Sequence, residues 1–298
     1  MIVAAPREIR LDIEGGSLAA LRMGDADGVP VLALHGWLDN AASFVPLAAH
    51  LRGVDVVALD LPGHGASDHL PAGAEYSLAG TVLAVLDAAD ALGWERFAVL
   101  GHSMGASIGC LVAAAAPARV SRLAAIEALG ALADAEDHTA ARLRDAIAAR
   151  RALRGKQLRV FPDVDAAVDA RLRANLLGET ALAEPLVRLL VARGLREVAG
   201  GHAWSSDPRL TVSTPTRMTE GQVRDLLRNL ACPVLAVYAE PAQSYFPEPL
   251  RSDRAALPAD LRLVRLPGGH HLHMDQPGAV ADAVGPFLAR PGATAPRA

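Results

Sequence analysis

The sequence contains little cysteine and has no excess of basic residues, and these two deficits exclude several classes of protein. Only Cys110 and Cys232 occur in 298 residues, so the chain cannot build the disulfide framework of a small secreted domain, and a reducing compartment fits best. The 29 lysines and arginines are outnumbered by 33 aspartates and glutamates, whereas nucleic-acid surfaces carry a clear positive excess. We therefore expect a cytoplasmic protein that does not bind nucleic acid.

The chain also has no convincing membrane segment. Residues 97–118 contain no Asp, Glu, Lys or Arg and are long enough to cross a bilayer. The interruption GHSMG, however, favours a buried strand followed by a buried helix. The first apolar run ends at Pro6 and is too short for a signal peptide. The sequence therefore predicts no membrane span.

Apolar runs alternate with helical patterns along most of the chain. EIRLDIEG and LAALRMG predict an opening antiparallel pair of strands. Four later runs have the apolar character of strands buried on both faces of a parallel sheet; they are VPVLALHG, DVVALDLPG, RFAVLGHS and RLAAIEALG. Two further predicted strands, CPVLAVYAE and LRLVRLPGG, follow near the C-terminus. Helical patterns separate most of them, so we expect an α/β fold with a mostly parallel, eight-stranded sheet flanked by helices.

The alternation stops between the sixth and seventh predicted strands. Residues 130–230 contain mostly helical segments rich in Ala, Leu and Arg, with no convincing buried strand. Residues 200–218 are polar and predict a loop, and Thr219 then predicts the N-cap of a further helix. We expect a core domain formed by residues 1–129 and 231–298, interrupted by a helical cap at 130–230.

The motif GHSMG follows the predicted strand FAVL and precedes a helix-forming run. A G-x-S-x-G sequence between a strand and a helix predicts a nucleophile elbow, a tight turn that lifts the serine hydroxyl above the sheet. Bulky side chains at Gly101 or Gly105 would clash with the neighbouring strand and helix. The turn also places the Met104 N–H at a helix N-terminus, where negative charge is stabilised. Ser103 is therefore the candidate nucleophile.

A serine nucleophile requires a base, and GGHHLH offers three histidines after the last predicted strand. In proteins with this elbow an acid and then a histidine follow the serine along the chain. His270 occupies the turn just after the strand and can point back over the sheet, whereas we expect His271 to face away and His273 to lie deeper. A metal site built from these histidines would need ligands spaced on a fixed framework, so we favour His270 as base and expect no metal.

The chain resembles the α/β-hydrolase superfamily, and within it the serine hydrolase-like branch. The matching segments are LHGWLDNAASF (34–44), DLPGHGASD (60–68), GHSMGA (101–106) and GGHHLHMDQP (268–277). The resemblance implies that His35-Gly36-Trp37 is the oxyanion loop, so that the backbone N–H groups of Trp37 and Met104 would stabilise a developing oxyanion. It also implies structural roles for Asp60 and His64, and a cap over the site in the region 130–230.

The position of the candidate catalytic acid in this sequence departs from the commonest pattern of the superfamily. Many members place an Asp after the penultimate core strand, but the equivalent slot here falls near Ala242. A second arrangement, seen in haloalkane dehalogenases, places the acid after the preceding strand, where Glu127 ends an apolar run. A carboxylate at that position needs a partner, and an imidazole would provide one. We therefore predict Glu127 as the acid and leave Glu240 and Asp253 as alternatives.

Together these features predict a cofactor-free serine hydrolase that cleaves a small ester or related acyl compound through an acyl-enzyme on Ser103. C–C bond hydrolase, thioesterase, amidase and perhydrolase chemistry could use the same residues. A hydrolase-fold binding protein with vestigial activity is a further possibility, favoured by the missing Asp near Ala242. Four side chains are candidates to line the pocket: His102, Trp204, Tyr245 and Phe246.

Overall fold

The computed structural model describes residues 5–155, 158–175 and 182–289. Ten strands occur in this part of the chain, in the following order: β1 (Arg7–Ile13), β2 (Gly16–Gly24), β3 (Val29–Leu34), β4 (Val54–Leu59), β5 (Phe97–His102), β6 (Val120–Ile126), β7 (Leu195–Val198), β8 (Gly201–Trp204), β9 (Val234–Glu240) and β10 (Leu261–Pro267).

Eight of these strands form one twisted sheet in the order β1-β2-β4-β3-β5-β6-β9-β10. The β1–β2 and β2–β4 pairs are antiparallel, and every other pair in the sheet is parallel. All residues of β4 and β5 are buried, as expected for strands covered by helices on both faces. The predicted mostly parallel, eight-stranded sheet is confirmed.

Helices cover both faces of the sheet. The described α-helices are α1 (Val45–Ala48), α2 (Leu78–Ala91), α3 (Met104–Ala115), α4 (Thr139–Ala152), α5 (Val164–Asn175), α6 (Glu184–Gly194), α7 (Glu220–Arg228), α8 (Leu250–Ala255), α9 (Leu272–Asp275) and α10 (Pro277–Leu288). Apolar residues of α2 and α3 belong to one buried cluster, and those of α1 and α10 belong to a second. The sheet therefore separates two apolar layers, which is the α/β layering that the alternating pattern predicted.

The uncharged stretch 97–118 forms β5 and α3 rather than a single long helix. In the ranges that the structure describes, no helix combines the length and the apolar character needed to cross a membrane.

The chain between β6 and β9 leaves the sheet, and α4, α5 and α6 lie in this insertion. Residues of α5 and α6 share a separate apolar cluster that includes Phe161, Val168 and Leu190. This cluster also contains Met274 from the core, so the insertion is packed against the main domain. In contrast, Val223 and Leu227 of α7 belong to the core cluster of α3.

The insertion is not purely helical, although the sequence predicted mostly helical segments there and no buried strand. β7 and β8 form an antiparallel hairpin, with Leu195 opposite Trp204 and Val198 opposite Gly201. β8 lies inside the segment 200–218 that was expected to be a loop. Each strand has only four residues and is mostly half-buried or exposed, so neither provides enough alternation to be recognised in the sequence.

Thr219 is the N-cap of α7, as predicted. Its hydroxyl accepts a hydrogen bond from the Gln222 N–H, and the Gln222 side chain accepts one from the Thr219 N–H, which completes a capping box. This reciprocal pair satisfies two backbone donors that a helix N-terminus otherwise leaves unpaired.

Candidate active site

Ser103 occupies the tight turn between β5 and α3. Its backbone has φ 51° and ψ −115°, a combination that costs about 1–3 kcal/mol in a non-glycine residue. The turn depends on close approach of the main chain: a Cβ at Gly101 would lie 2.5 Å from the Ala106 backbone, and one at Gly105 would lie 1.9 Å from the Leu34 carbonyl oxygen. The two glycines therefore allow the half-buried serine to stand at the carboxyl edge of the sheet.

Strained backbone is concentrated at this edge. Among the described residues, the non-glycine residues with positive φ are Leu38, Ser103 and Glu127. They follow β3, β5 and β6 respectively, three neighbouring strands of the sheet. Strained conformations persist only where the surrounding structure imposes them, and they cluster at functional sites.

Glu127 continues β6 into the same edge. Its N–H donates to the Val237 carbonyl at 2.9 Å, and its Oε1 accepts a 2.5 Å hydrogen bond from the Ala239 N–H. Its other carboxylate oxygen, Oε2, lies 3.8 Å from Nδ1 of His270, and the side chain is only 3% exposed. The backbone of β9 thus holds one oxygen of the carboxylate while the other faces the histidine.

The two alternative acids lie elsewhere. Oε1 of Glu240 is 3.4 Å from Nε of Arg265, and its side chain is about half exposed. Asp253 is also exposed, and its carboxylate is 3.9 Å from Nη1 of Arg224. Of the three carboxylates that the sequence offered, Glu127 is the one beside His270.

Tyr245 is in direct contact with the imidazole of His270. Its phenolic oxygen lies 2.5 Å from Nδ1 of His270. The same oxygen is 3.5 Å from Oε2 of Glu127 and 3.3 Å from the Glu127 carbonyl oxygen. The sequence suggested Tyr245 only as a pocket residue, because nothing in its spacing from position 270 indicates this contact.

The predicted oxyanion loop is held by His35. Its Nε2 accepts the Leu61 N–H at 3.0 Å, and its Nδ1 lies 2.7 Å from the Gly36 carbonyl oxygen. Burial is the main cause that lowers the pKa of His35 to about 4, so the ring is neutral near pH 7. This arrangement places Trp37 in the loop after β3, while Met104 is the first residue of α3, where backbone N–H groups precede the first helical acceptors.

His102 lies beneath the candidate site rather than in an open pocket. It is fully buried, and its Nε2 is 2.8 Å from the carbonyl oxygen of His270. Burial, together with the neighbouring His273, His270 and His271, lowers the pKa of His102 well below its usual value. The neutral ring therefore donates from Nε2 to the backbone of the histidine loop.

The other two histidines of GGHHLH have separate environments. His271 directs Nε2 toward Oδ2 of Asp39 at 3.1 Å, so it faces the loop after β3. His273 is fully buried, with its ring 5.3 Å from that of Phe44. The ring of His271 lies 5.0 Å from that of His270, whereas the ring of His273 lies 4.1 Å from that of His102.

The remaining predicted pocket residues are packed into apolar clusters. Phe246 is buried, and its ring lies edge-on to Tyr238 at 5.5 Å. Trp204 lies edge-on to Phe161 at 5.2 Å within the insertion. These contacts give both aromatic rings a packing role.

The insertion is anchored directly to the loop after β3. Arg171 of α5 donates to the Leu38 carbonyl at 3.1 Å and to Oδ1 of Asp39 at 2.7 Å. The Asn40 side chain in turn donates to the Leu190 carbonyl of α6. The indole N–H of Trp37 donates to the carbonyl of Leu210 at 2.8 Å. The position of the insertion and the geometry of this loop are therefore coupled.

The parallel sheet, its flanking helices and the strained serine turn define an α/β hydrolase. The sequence profile of the family described as alpha/beta hydrolase fold matches residues 29–277, and the chain belongs to that family. A serine hydrolase-like protein of Dictyostelium discoideum is 30% identical over 272 residues, which cover 87% of this chain and 74% of the relative. Human serine hydrolase-like protein 2 is 29% identical over 298 residues, 94% of this chain and 93% of the relative. These relatives support a hydrolase of the serine hydrolase-like branch.

Solved structures give the same fold. A Pseudomonas aeruginosa PAO1 protein described as hypothetical superposes with a TM-score of 0.87 and 42% identity, covering 95% of this chain and 99% of its own. A thioesterase domain from the curacin biosynthetic pathway superposes with a TM-score of 0.78 and 25% identity, covering 94% of this chain and 98% of its own.

Proposed function

We propose that this protein is a cofactor-free serine hydrolase that cleaves a small ester or related acyl compound through an acyl-enzyme on Ser103. The observation that carries the proposal is that Ser103 and Glu127 directly follow β5 and β6, while His270 lies in the turn after β10, at the same edge of the sheet. Strained backbone at two of these three residues supports the same assignment.

In this mechanism the Ser103 hydroxyl attacks the acyl carbon while Nε2 of His270 accepts its proton. The charge that develops on imidazole is stabilised on the Nδ1 side, where the buried Glu127 carboxylate lies. Backbone N–H groups of Trp37 and Met104 receive the oxyanion, a contribution of about 3–4 kcal/mol per donor in related chemistry. His270 then returns the proton to the leaving group, and water releases the acyl group by the reverse sequence.

The insertion at 130–230 acts as a cap in this proposal. It is held to the oxyanion loop by Arg171 and by the Trp37 indole, so it can cover the acyl site and exclude bulk water. The same anchoring makes the cap a determinant of which acyl groups fit.

A thioester is the second candidate substrate class. The curacin thioesterase domain covers almost the whole chain at 25% identity, and a serine–histidine–acid site serves ester and thioester cleavage alike. C–C bond hydrolysis, amide hydrolysis and perhydrolysis could use the same residues. A binding protein with vestigial turnover is favoured by one observation, the 3.8 Å separation between Glu127 and His270.

The test compares turnover of p-nitrophenyl acetate, p-nitrophenyl butyrate and matched acyl thioesters by the wild type, Ser103→Ala and Ser107→Ala. Ser107 lies one turn further along α3, with its hydroxyl bonded to the Gly130 carbonyl, and is a matched control. We expect Ser103→Ala to abolish turnover and fluorophosphonate labelling, and Ser107→Ala to retain both. Equal rates in wild type and Ser103→Ala would refute the assignment of Ser103 as the nucleophile. Absence of fluorophosphonate labelling in wild type would favour the hypothesis of a binding protein with vestigial activity.

A further inference from the structure

A second group of polar side chains lies beside the candidate catalytic residues. Asp39, His102 and His271 each offer one possible ligand atom, and these atoms all lie within 4.8 Å of one another. They come from three different places in the chain, the loop after β3, the end of β5 and the loop after β10. Asp39 and His102 are buried, and His271 is half-buried.

The tautomer of His102 leaves a lone pair directed into this group. Because Nε2 donates to the carbonyl of His270 at 2.8 Å, Nδ1 carries no proton in the neutral ring. Within the ranges that the structure describes, this buried Nδ1 has no hydrogen-bond partner. A buried acceptor without a donor is unusual and requires an explanation, such as a missing ion.

Gly36 packs closely against both His102 and Asp39. A Cβ built on Gly36 would lie 2.9 Å from Nδ1 of His102 and 3.2 Å from Oδ2 of Asp39. The two electron-pair donors therefore lie near the same glycine, where a larger side chain would collide with them. Both donors favour a cation over a neutral or anionic group.

Asp39 is arranged to present one carboxylate oxygen to the group. Its Oδ1 accepts a hydrogen bond from Arg171 at 2.7 Å, and its Oδ2 lies 3.1 Å from Nε2 of His271. Both oxygens of the Asp39 carboxylate are thus held by Arg171 and His271, which fixes the orientation of the side chain.

We propose that Asp39, His102 and His271 bind a divalent transition-metal ion of the zinc type. Two imidazoles and a carboxylate form a common zinc ligand set, with water in the fourth position. Metal–ligand bonds of about 2.0–2.2 Å place tetrahedral ligands about 3.4 Å apart, so the 3.1 Å separation of Asp39 and His271 is already suitable. The metal replaces the proton that these two groups share.

The surroundings of these ligands support the assignment. A metal-binding histidine usually donates its second ring N–H to a carbonyl or carboxylate, and a metal-binding carboxylate usually accepts a further hydrogen bond. His102 and Asp39 have these partners in the His270 carbonyl and the Arg171 guanidinium. The sequence predicted no metal, but that expectation concerned only the histidines of GGHHLH, and two of the three proposed ligands, Asp39 and His102, lie elsewhere in the chain.

An ion at this position would join the loop after β3 to the loop that carries His270. It would therefore stabilise the folded protein and hold both loops in one arrangement. The site does not include Ser103 or His270, and the proposal does not depend on the hydrolase activity.

The experiment titrates the metal-free protein with Zn²⁺ against a competing indicator, and with Co²⁺ monitored by visible absorption. We expect one ion per chain, Co²⁺ bands of a four-coordinate site, and a higher melting temperature with Zn²⁺. Asp39→Asn and His271→Gln should each weaken Zn²⁺ binding at least about tenfold, whereas His271→Cys, which supplies another zinc ligand, should retain it.

His138→Gln is the matched control, because His138 is exposed and lies 3.2 Å from Asp134, a second histidine–aspartate pair. Circular dichroism verifies that each variant is folded. The proposal is overturned if wild type binds no Zn²⁺. It is also overturned if folded Asp39→Asn and His271→Gln bind as tightly as wild type, or if His138→Gln is the variant that loses binding.

Discussion

The phenolic oxygen of Tyr245 lies 2.5 Å from Nδ1 of His270, whereas the carboxylate of Glu127 is 3.8 Å from the same nitrogen. Since the tyrosine oxygen is also 3.5 Å from Oε2 of Glu127, the hydroxyl bridges the imidazole and the carboxylate. In the arrangement that leaves Nε2 free to accept the serine proton, Nδ1–H donates to the tyrosine oxygen and the hydroxyl donates to Glu127. Tyr245 is then a positioning residue for His270.

We expect Tyr245→Phe to lower kcat by about 10- to 100-fold with little change in KM, because a hydrogen bond to a charged group contributes about 1.5–3 kcal/mol. The acid limb of the kcat–pH profile should also shift, since the environment of the imidazole changes. Tyr76→Phe is the control: its hydroxyl donates to Asp207 at 2.9 Å, in another part of the fold. An unchanged kcat and pH profile for Tyr245→Phe would show that Tyr245 only lines the pocket and does not position His270.

Glu127→Gln should reduce kcat by up to about 10⁴-fold, the loss found when the acid of such a site loses its charge. The substitution retains the side-chain volume and removes the charge that stabilises imidazolium. Glu240→Gln should retain full activity, because Glu240 lies beside Arg265 on the surface. Steady-state kinetics on the best p-nitrophenyl ester measures both. If Glu240→Gln is the inactive variant, Glu127 is not the acid.

Backbone strain at Ser103 should lower the free energy of unfolding of any variant that retains a Cβ at this position. Glycine adopts positive φ without the Cβ penalty, whereas alanine at position 103 retains it. We therefore expect the free energy of unfolding of Ser103→Gly to be higher than that of Ser103→Ala by about 1 kcal/mol. This difference already includes the entropic cost of glycine in the unfolded chain. At Ser107, inside the same helix, the order should reverse, with glycine about 1 kcal/mol below alanine. Urea unfolding of the four variants measures these free energies. If glycine and alanine rank in the same order at positions 103 and 107, the backbone at Ser103 is not strained.

Stability should fall as the pH drops below 6.5. Burial lowers the pKa of His35 to about 4 and that of His64 to about 3, from an ordinary value of 6.5. Below pH 6.5 the unfolded chain therefore binds more protons than the folded protein, and each histidine removes about 2 kcal/mol between pH 7.5 and 5. Above pH 7.5 these two histidines no longer make the free energy of unfolding depend on pH.

Urea unfolding at pH 7.5 and pH 5 measures this loss. His64→Gln should flatten the dependence because it removes one of the buried neutral histidines, whereas His138→Gln, at an exposed histidine, should leave it unchanged. Equal unfolding free energies at the two pH values in wild type would contradict buried neutral histidines.

Much of the fold was accessible from the sequence, because local chemistry specifies it. Continuous apolar runs predicted the buried strands, and Thr219 predicted the N-cap of α7. The β7–β8 hairpin was missed because its strands are too short to produce a pattern. At the candidate site, the glycines of GHSMG predicted the turn at Ser103, since only a residue without Cβ tolerates the approach of Leu34 to Gly105.

By itself, the sequence determined the order of strands and helices, the serine turn and the position of a histidine after the last strand. These depend on periodicity and on local steric limits, which act between residues close in the chain. Only the tertiary structure decided that Tyr245 contacts His270 and that Glu240 lies beside Arg265 instead. It alone also placed Asp39 and His102 close to His271. Such contacts depend on side-chain directions and strand neighbours far apart in the chain, and no local pattern encodes them.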